Sequence, residues 1–379
     1  MISTKFPYIS TSIFAVMSRF ANEHNAINLS QGFPDFECSP ELVSLVNKHM
    51  KLGHNQYAPM EGLMPLREII CEKTEQLYSY KYNPETEVTI TAGATQALFT
   101  AISALITEGD EVIVFSPAYD CYVPAIKLNG GVPVFLQLKP PYYKIDWDEV
   151  QRFINPHTKM IILNSPHNPT GAILSASDLE KLKKITAKTN IIILSDEVYE
   201  HIIFDGYEHQ SVARFPELAQ RSVIISSFGK TFHTTGWKMG YCLAPPHLTA
   251  EIRKIHQFIV FCVNTPIQWA LSEILKNKDL YKELGCFYQQ KRDYFNNLMK
   301  ETKFVIRPSC GTYFQLMNYH KISDEKDTDF AFRLAKDYGV AAIPVSVFNH
   351  ENTDNKTLRF CFAKSNETME RAAEKLMKL

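Results

Sequence analysis

Short apolar runs alternate with amphipathic stretches from about Glu87 to Pro245. The runs are rich in Val and Ile and mostly apolar on both faces, which is typical of strands covered by helices on two sides. Between several of them, apolar residues recur at helical spacing. The pattern predicts strands at Val88–Thr91, Glu111–Phe115, Val132–Leu138, Met160–Asn164, Ile191–Ser195, Val223–Ser227 and Met239–Ala244, and helices at Thr95–Ile106, Asp146–Ile154 and Ser177–Lys188.

This alternation of strands and helices predicts an α/β fold with a largely parallel sheet. Ligands of such sheets bind beyond the carboxyl ends of the strands, so the residues that follow each strand are candidates for chemistry. The flanking regions differ. Residues 1–45 are predicted to be rich in loops, Leu248–Lys300 is predicted to be mainly helical, and strand-like segments at Thr312–Met317, Val340–Ile343 and Thr357–Ala363 indicate a second, smaller α+β unit.

Length and charge narrow the class of protein. The chain has 379 residues, with 40 basic and 41 acidic side chains and a formal net charge of −1. This length suggests about two or three domains, or one large α/β domain with an appendage. A near-zero charge gives no reason to expect nucleic acid or an anionic membrane as a partner. The first residues, MISTKFPYISTSIF, lack a signal-peptide core, and no apolar run approaches the ~18 residues of a membrane helix. We therefore expect a cytoplasmic protein.

The 8 cysteines are scattered along the chain, and none forms a CxxC pair. Their spacing matches neither a metal site nor a disulfide framework, so no metal is predicted. We expect them to be reduced, small apolar residues of the core, as in other cytosolic proteins.

Polar residues follow four of the predicted strands. Because the carboxyl ends of parallel strands meet at one edge of a sheet, these residues are expected to lie close together. The set contains a helix start, an amide, a carboxylate, a phenol and two ammonium groups, at Gly93–Thr95, Asn168, Asp196, Tyr199, Lys230 and Lys238.

Taken singly, each of these residues has an ordinary structural interpretation. An Asp after a strand is usually a helix N-cap, and Asn-Pro and Gly-Lys are common in turns. The segment Gly229–Thr231 resembles a phosphate-binding loop, but Ile224 stands where GxxxxGK[ST] requires glycine. No GxGxxG motif occurs, so a nicotinamide dinucleotide site has no support. Their shared position at one sheet edge nevertheless favours an active site.

The ordered motifs NSPHNPTG, SDEVYEHI, SFGKTFHTTGWKMGY and LRFCFAKS, together with NLSQGFPDF and QYAP, span nearly the whole chain. In these motifs the chain resembles the fold-type I, pyridoxal 5′-phosphate (PLP)-dependent aminotransferases of class I/II. Within them it resembles the methionine/kynurenine (glutamine transaminase K-like) branch. The resemblance implies a large PLP-binding domain over residues 46–280, with a mostly parallel seven-stranded sheet flanked by helices. It also implies a smaller α+β domain built from residues 1–45 and 281–379, and a homodimer.

The resemblance also implies roles around the cofactor. Lys230 would bind the PLP aldehyde covalently and, once freed, move the proton of the substrate α-carbon. Asp196 would pair with the pyridine nitrogen and keep it protonated. Tyr199 and Asn168 would hydrogen-bond the 3′-oxygen, and Tyr119 would stack on the ring.

The phosphate of the cofactor needs several hydrogen-bond donors. The resemblance assigns Ser227 and Lys238 to it, together with the helix start at Gly93, Ala94 and Thr95. At the position of Lys238 the aspartate-type branch commonly has Arg, and a lysine offers a point charge rather than a two-pronged donor. Tyr57 would reach the phosphate from a second subunit.

The substrate end follows from the same comparison. Arg359 would bind the α-carboxylate of the substrate with two hydrogen bonds, Gly32 would contact it through the backbone, and Asn168 and Phe14 would complete the pocket. The activity implied is a ping-pong transfer of an amino group between a methionine-like or aromatic amino acid and a 2-oxo acid.

Two other functions were weighed. A PLP-dependent carbon–sulfur β-lyase would need the same lysine, carboxylate and phosphate site, and would differ only in which substrate bond is aligned with the ring. A non-enzymatic PLP-sensing regulator carries a DNA-binding helix-turn-helix ahead of this fold. Here only about thirty residues precede the Gln31-Gly32 motif, and we therefore do not expect a regulator of this kind.

Overall fold

The computed structural model describes residue 6 and residues 11–379. Its α-helices are α1 Ile13–Glu23, α2 Pro40–Lys51, α3 Met64–Tyr78, α4 Gly93–Leu105, α5 Tyr122–Leu128, α6 Trp147–Phe153, α7 Ala176–Thr186, α8 Pro216–Ala219, α9 Phe228–Thr231, α10 Pro246–Ile259, α11 Thr265–Ile274, α12 Asp279–Lys282, α13 Leu284–Leu298, α14 Asp327–Asp337 and α15 Asn366–Leu376. Its strands are β1 Ile27–Asn28, β2 Val88–Thr91, β3 Glu111–Ser116, β4 Val132–Gln137, β5 Thr158–Asn164, β6 Ile192–Asp196, β7 Ser222–Ser227, β8 Gly240–Leu243, β9 Val305–Ile306, β10 Phe314–Asn318, β11 Val340–Ala341, β12 Ile343–Pro344 and β13 Thr357–Cys361.

A seven-stranded sheet forms the centre of the fold, in the order β2-β8-β7-β6-β5-β3-β4. Strands β3 to β7 pair in parallel, whereas β8 runs antiparallel to both β2 and β7. The seven strands and three helices predicted in this region are confirmed, with ends that differ by at most two residues. The mostly parallel α/β architecture is therefore confirmed as well.

The sheet is buried on both faces. Successive residues of each strand point to opposite faces and enter two different apolar cores. Ile161, Ile193 and Ile224 belong to a core on one face, against α3, α6, α7 and α11. Ile162 and Leu194 belong to a core on the other face, against α4, α5 and α10. Because helices cover both faces, a ligand can reach the sheet only at the ends of its strands. The cavity described below lies at the carboxyl ends.

A second unit joins the two ends of the chain. Strands β12-β13-β10-β9 form an antiparallel sheet, and β1 pairs with β11, so that Ile27 lies opposite Val340. Helices α1, α13, α14 and α15 cover this unit around a core that includes Phe330 and Phe360. The second α+β unit and the mainly helical segment Leu248–Lys300 are confirmed.

Three expectations from the sequence need correction. Residues 1–45 contain the whole of α1, because Met17 and Ala21 form a buried stripe at helical spacing and Ser12 caps the helix. The strand predicted at Val340–Ile343 is split into β11 and β12, which pair in different sheets. Of the eight free cysteines only Cys71, Cys242 and Cys361 are buried, and Cys286 is exposed.

Within the described part of the chain, no helix is both long enough and apolar enough to cross a membrane. The same residues contain no group of three or more His, Cys, Asp or Glu side chains that could hold a metal ion.

Candidate active site

The carboxyl ends of the central strands open into a cavity of about 320 Å³ at the junction with the second unit. Its wall is formed by residues that are up to 345 positions apart in the chain, since it runs from Phe14 to Arg359. All but one of the predicted site residues line it: Phe14, Gly32, Gly93, Ala94, Thr95, Tyr119, Asn168, Asp196, Tyr199, Ser227, Lys230, Lys238 and Arg359. The exception is Tyr57.

Lys230 lies in the short helix α9, directly after β7. Its Nζ donates hydrogen bonds to the hydroxyl of Tyr313 at 2.6 Å and to the carbonyl oxygen of Gly32 at 3.3 Å. Burial lowers the pKa of Lys230 to about 8, and the nearby cations Arg359 and Lys238 act in the same direction. An appreciable fraction of this amine is therefore neutral near pH 7 to 8, as a nucleophile or base requires.

Asp196 is the last residue of β6 and is buried. Its Oδ2 accepts a hydrogen bond from the Tyr122 hydroxyl at 2.5 Å, and Asn164 at the end of β5 donates to its backbone oxygen at 3.0 Å. Burial raises the pKa of Asp196 to about 6, although the hydrogen bond from Tyr122 acts in the opposite direction. A partner that carries positive charge would favour the ionised carboxylate at this position.

The start of α4 forms a polar end of the cavity. Its N-cap residue, Ala92, makes no side-chain capping bond, and the first turn contains no acidic residue. Backbone N–H groups in such a turn can bind an anion. Gly93 has φ +77°, and a Cβ at this residue would lie 3.4 Å from Lys238 Cε. Because 3.4 Å is an ordinary van der Waals distance, it is the positive φ, and not a lack of space, that favours glycine here. Ser227 and Lys238 also line the cavity.

Arg359 lies on β13 and is buried. Its Nη1 donates to Asn168 Oδ1 at 2.7 Å and its Nη2 to the backbone oxygen of Ser30 at 2.9 Å, and the guanidinium carbon lies 3.8 Å from the ring centre of Phe314. Its Nε has no hydrogen-bond partner among the described residues. Burial lowers the pKa of Arg359 to about 10, so the group is still charged at neutral pH. A buried cation with an unpaired donor is suited to binding a carboxylate.

Two tyrosines that were not predicted contact the central groups. Tyr122 contacts Asp196 as described, and Tyr313 contacts Lys230 and is fully buried against Tyr199, with ring centres 5.1 Å apart. Tyr122 was detectable as a second aromatic residue three positions after Tyr119. Tyr313 lies 83 positions after Lys230 in the chain, and no sequence motif near it indicated a role at the site.

A buried ionic network lies behind the turn that joins Asp196 to Tyr199. The carboxylate of Glu200 accepts hydrogen bonds from Lys73 at 2.7 Å, from Tyr78 at 2.7 Å, from Ser226 at 2.6 Å and from Tyr241 at 2.9 Å. Burial opposes ionisation, but Lys73 holds the pKa of Glu200 well below its ordinary value. The network ties the turn after β6 to strands β7 and β8.

Tyr57 lies outside the cavity, and 82% of its surface is exposed. Its ring packs edge-on against Phe261 with ring centres 5.2 Å apart. Phe258, which is 86% exposed, and Ile259 at the end of α10 are also exposed. Within this single chain, Tyr57 contributes nothing to the cavity.

Comparison with known proteins identifies the family. The model of the family described as aminotransferase class I and II matches residues 24–376. The chain belongs to this family. A methionine aminotransferase of Escherichia coli K12 is 47% identical over 377 residues, which are 99% of this chain and 98% of that protein. A kynurenine–oxoglutarate transaminase of Dictyostelium discoideum is 34% identical, with 97% of this chain and 94% of that protein covered.

Solved structures of aminotransferases show the same fold. YbdL from Escherichia coli, reported as a methionine aminotransferase, matches with a TM-score of 0.98 at 46% identity over 100% of both chains. A double mutant of the Thermus thermophilus aspartate aminotransferase matches with a TM-score of 0.91 at 28% identity, over 100% of this chain and 99% of that one. The predicted family, fold and enzyme class are confirmed. This chain is an aminotransferase, which moves an amino group between an amino acid and a 2-oxo acid, and its family is generally PLP-dependent.

Proposed function

We propose that this aminotransferase uses PLP to transfer the amino group of methionine, and of similar neutral, sulfur-containing or aromatic amino acids, to a 2-oxo acid. The proposal rests on the number of cationic side chains that line the cavity. Among the described residues that line it, the cations are Lys230, Lys238 and Arg359. Each has a task at the cofactor or at the α-carboxylate, so none is left for a second carboxylate on the substrate. Phe14, Phe33, Tyr119 and Phe314 supply apolar wall for an uncharged side chain.

The side chains of the cavity fit PLP in number and in kind. One end offers N–H, hydroxyl and ammonium donors for the phosphate, from Gly93, Ala94, Thr95, Ser227 and Lys238. Asp196 would pair with the pyridine nitrogen, Lys230 would bind the aldehyde and Tyr119 would stack on the ring. When bound, PLP supplies an electron-withdrawing ring that stabilises negative charge at the substrate α-carbon.

One hydrogen bond connects the cofactor end of the cavity to the substrate end. Asn168 accepts a hydrogen bond from Arg359 through its Oδ1, which leaves its amide nitrogen to donate to the 3′-oxygen of PLP alongside Tyr199. The same bond holds Arg359 in place for the substrate carboxylate, for which its Nε has a free donor. Lys230 would remove the proton from the α-carbon of the amino donor in the first half-reaction and return a proton to the α-carbon of the new amino acid in the second. Gly32 would contact the carboxylate through its backbone.

The domain division predicted from the sequence is part of the proposal: residues 46–280 as the PLP-binding domain, and residues 1–45 and 281–379 as the small domain. The pairing of β1 with β11, which joins the two chain ends, supports it. Unpaired cysteines suit a reducing compartment, and we place the enzyme in the cytoplasm.

A homodimer accounts for the exposed aromatic surface around Tyr57. Phe261 packs against Tyr57, and Phe258 and Ile259, close to it in the chain, are also exposed. Exposed apolar surface of this kind is typical of protein interfaces. We propose that this surface is covered in a homodimer and that Tyr57 reaches the phosphate site of the second subunit.

A panel of amino acids tests the substrate class. Each is added alone to the PLP-loaded enzyme, and the change in cofactor absorbance is followed over a single half-reaction. Methionine, phenylalanine and glutamine are expected to react at least about 100-fold faster than aspartate, because a second carboxylate would be buried without a cation. Faster reaction with aspartate or glutamate would contradict the proposal. Release of pyruvate and ammonia from a cysteine conjugate without added 2-oxo acid would instead support the β-lyase.

Mixed dimers test the position of Tyr57. A Tyr57→Ala chain and a Lys230→Ala chain, each poorly active alone, are unfolded together and refolded at equal concentration. If Tyr57 acts across the interface, each hybrid has one complete site, and activity should recover to about a quarter of wild type by random pairing. If Tyr57 acts within its own chain, no hybrid has a complete site and activity stays at the level of the separate variants.

A further inference from the structure

The amine of Lys230 is held by two oxygen atoms that no proposed role yet uses. The Tyr313 hydroxyl lies 2.6 Å from Nζ, and the carbonyl oxygen of Gly32 lies 3.3 Å from it. Tyr313 donates its own hydrogen to the same Gly32 oxygen at 2.5 Å. Since that proton is committed, the phenol oxygen faces Lys230 as an acceptor.

These contacts determine the direction of the lone pair of the amine. A neutral lysine amine has two N–H bonds and one lone pair. Tyr313 and Gly32 accept the two hydrogens, so the lone pair points away from both oxygens.

From this geometry we propose that Tyr313 is a further catalytic residue of the aminotransferase, which orients the free amine of Lys230 for removal of the substrate α-proton. In that step the α-carbon–hydrogen bond breaks, its electron pair stays with the substrate, and the proton forms a third N–H bond at Nζ. The two existing N–H bonds are already held by Tyr313 and Gly32, so the new bond forms at the remaining position of the nitrogen, away from Tyr313, which lies behind the residues that line the cavity. The inference rests on the proposed function.

The surroundings of Tyr313 keep its hydroxyl in place. The residue is fully buried, and its ring packs edge-on against Tyr199 and at a tilt against Tyr288, with ring centres 5.1 Å and 5.7 Å away. Tyr288 is also fully buried, but its hydroxyl has no hydrogen-bond partner among the described residues. Tyr288→Phe therefore removes the same atom from the same aromatic cluster without touching Lys230.

The first measurement compares Tyr313→Phe with Tyr288→Phe in the PLP-loaded enzyme. Tyr313→Phe is expected to lower kcat roughly 10- to 100-fold with little change in KM, because the amine is misaligned only for the proton transfer. The kinetic isotope effect with α-deuterated methionine should rise, since proton transfer becomes more nearly rate-limiting. Tyr288→Phe should leave kcat and the isotope effect within about twofold of wild type.

The second measurement is independent of turnover. In the cofactor-free full chain, Lys230 is acetylated across a pH series and quantified by peptide mass mapping. Tyr313→Phe should move the midpoint of labelling to lower pH, because the ammonium form loses a hydrogen-bond acceptor. Tyr288→Phe should not move it. Tyr313→Met serves as a second variant without the oxygen if the Phe variant fails to fold.

Unchanged kcat, isotope effect and labelling midpoint in a folded Tyr313 variant would overturn the inference. Equal effects of the Tyr313 and Tyr288 variants would also overturn it, since the role would then be packing alone. If the wild-type chain neither binds PLP nor transaminates, the proposed function fails instead, and the two failures can be told apart.

Discussion

Replacing Lys230 with alanine is expected to lower turnover by about four orders of magnitude or more. The substitution removes both the covalent attachment of the cofactor and the base that takes the α-proton, and each alone contributes strongly to catalysis. Lys230→Arg should be equally inactive, because a guanidinium is not deprotonated near neutral pH. Single-turnover absorbance with methionine measures the loss.

The matching chemical test locates the attachment. Borohydride reduction of the PLP-loaded wild type, followed by peptide mass mapping, should find the pyridoxyl group on Lys230. Lys238, eight residues further along and also in the cavity wall, is the natural comparison. Label on Lys238, or near-normal turnover in Lys230→Ala, would rule out the proposed role of Lys230.

The sequence was sufficient for the central sheet because its strands are buried on both faces. A strand such as β6 between two helical layers reads as an uninterrupted apolar run, and the polar residue at its end, Asp196, then stands out. Helix α1 was missed because its buried stripe is short and is interrupted by polar residues. In the structure Met17 and Ala21 face a core made largely by the other end of the chain.

Long-range contacts explain what the sequence did not reveal. A single Arg on a strand is more often a surface residue, so Arg359 was assigned to the substrate only through the resemblance to a family. Glu200 reads as an ordinary charged residue after a turn, because Lys73, its ionic partner, is 127 positions away. Tyr313 contacts Lys230 across 83 positions. The contacts of Arg359 and Tyr313 depend on how the second unit packs on the sheet, and the Lys73–Glu200 pair depends on how α3 packs there. No local pattern records either arrangement.

Asp196→Asn is expected to change activity and stability in opposite directions. An asparagine keeps the shape of the side chain but carries no charge to hold a proton on the pyridine nitrogen. Turnover should therefore fall about 10³-fold or more while the enzyme still binds PLP. Single-turnover rates and the PLP dissociation constant separate these two quantities.

The stability of the cofactor-free chain should rise instead. Burial raises the pKa of Asp196 from 3.8 to about 6 in the folded chain. Between these values the folded state holds more protons than the unfolded state, so the free energy of unfolding falls as pH rises from about 4 to 6 and stays lower above 6. The cost at neutral pH is up to about 3 kcal/mol, and an uncharged asparagine avoids it.

Urea unfolding of the cofactor-free wild type and Asp196→Asn chains at pH 5 and pH 8 measures this cost. The variant should gain stability over wild type at pH 8, and the gain should be smaller at pH 5. Tyr122→Phe is a useful comparison, because it removes the hydrogen bond to the carboxylate and should destabilise the wild-type chain further at pH 8. If the variant is less stable than wild type at pH 8, the ionised Asp196 does not lower the free energy of unfolding of the cofactor-free chain. A carboxylate that costs stability without PLP and is essential with it would be held at this strand end for its interaction with the cofactor.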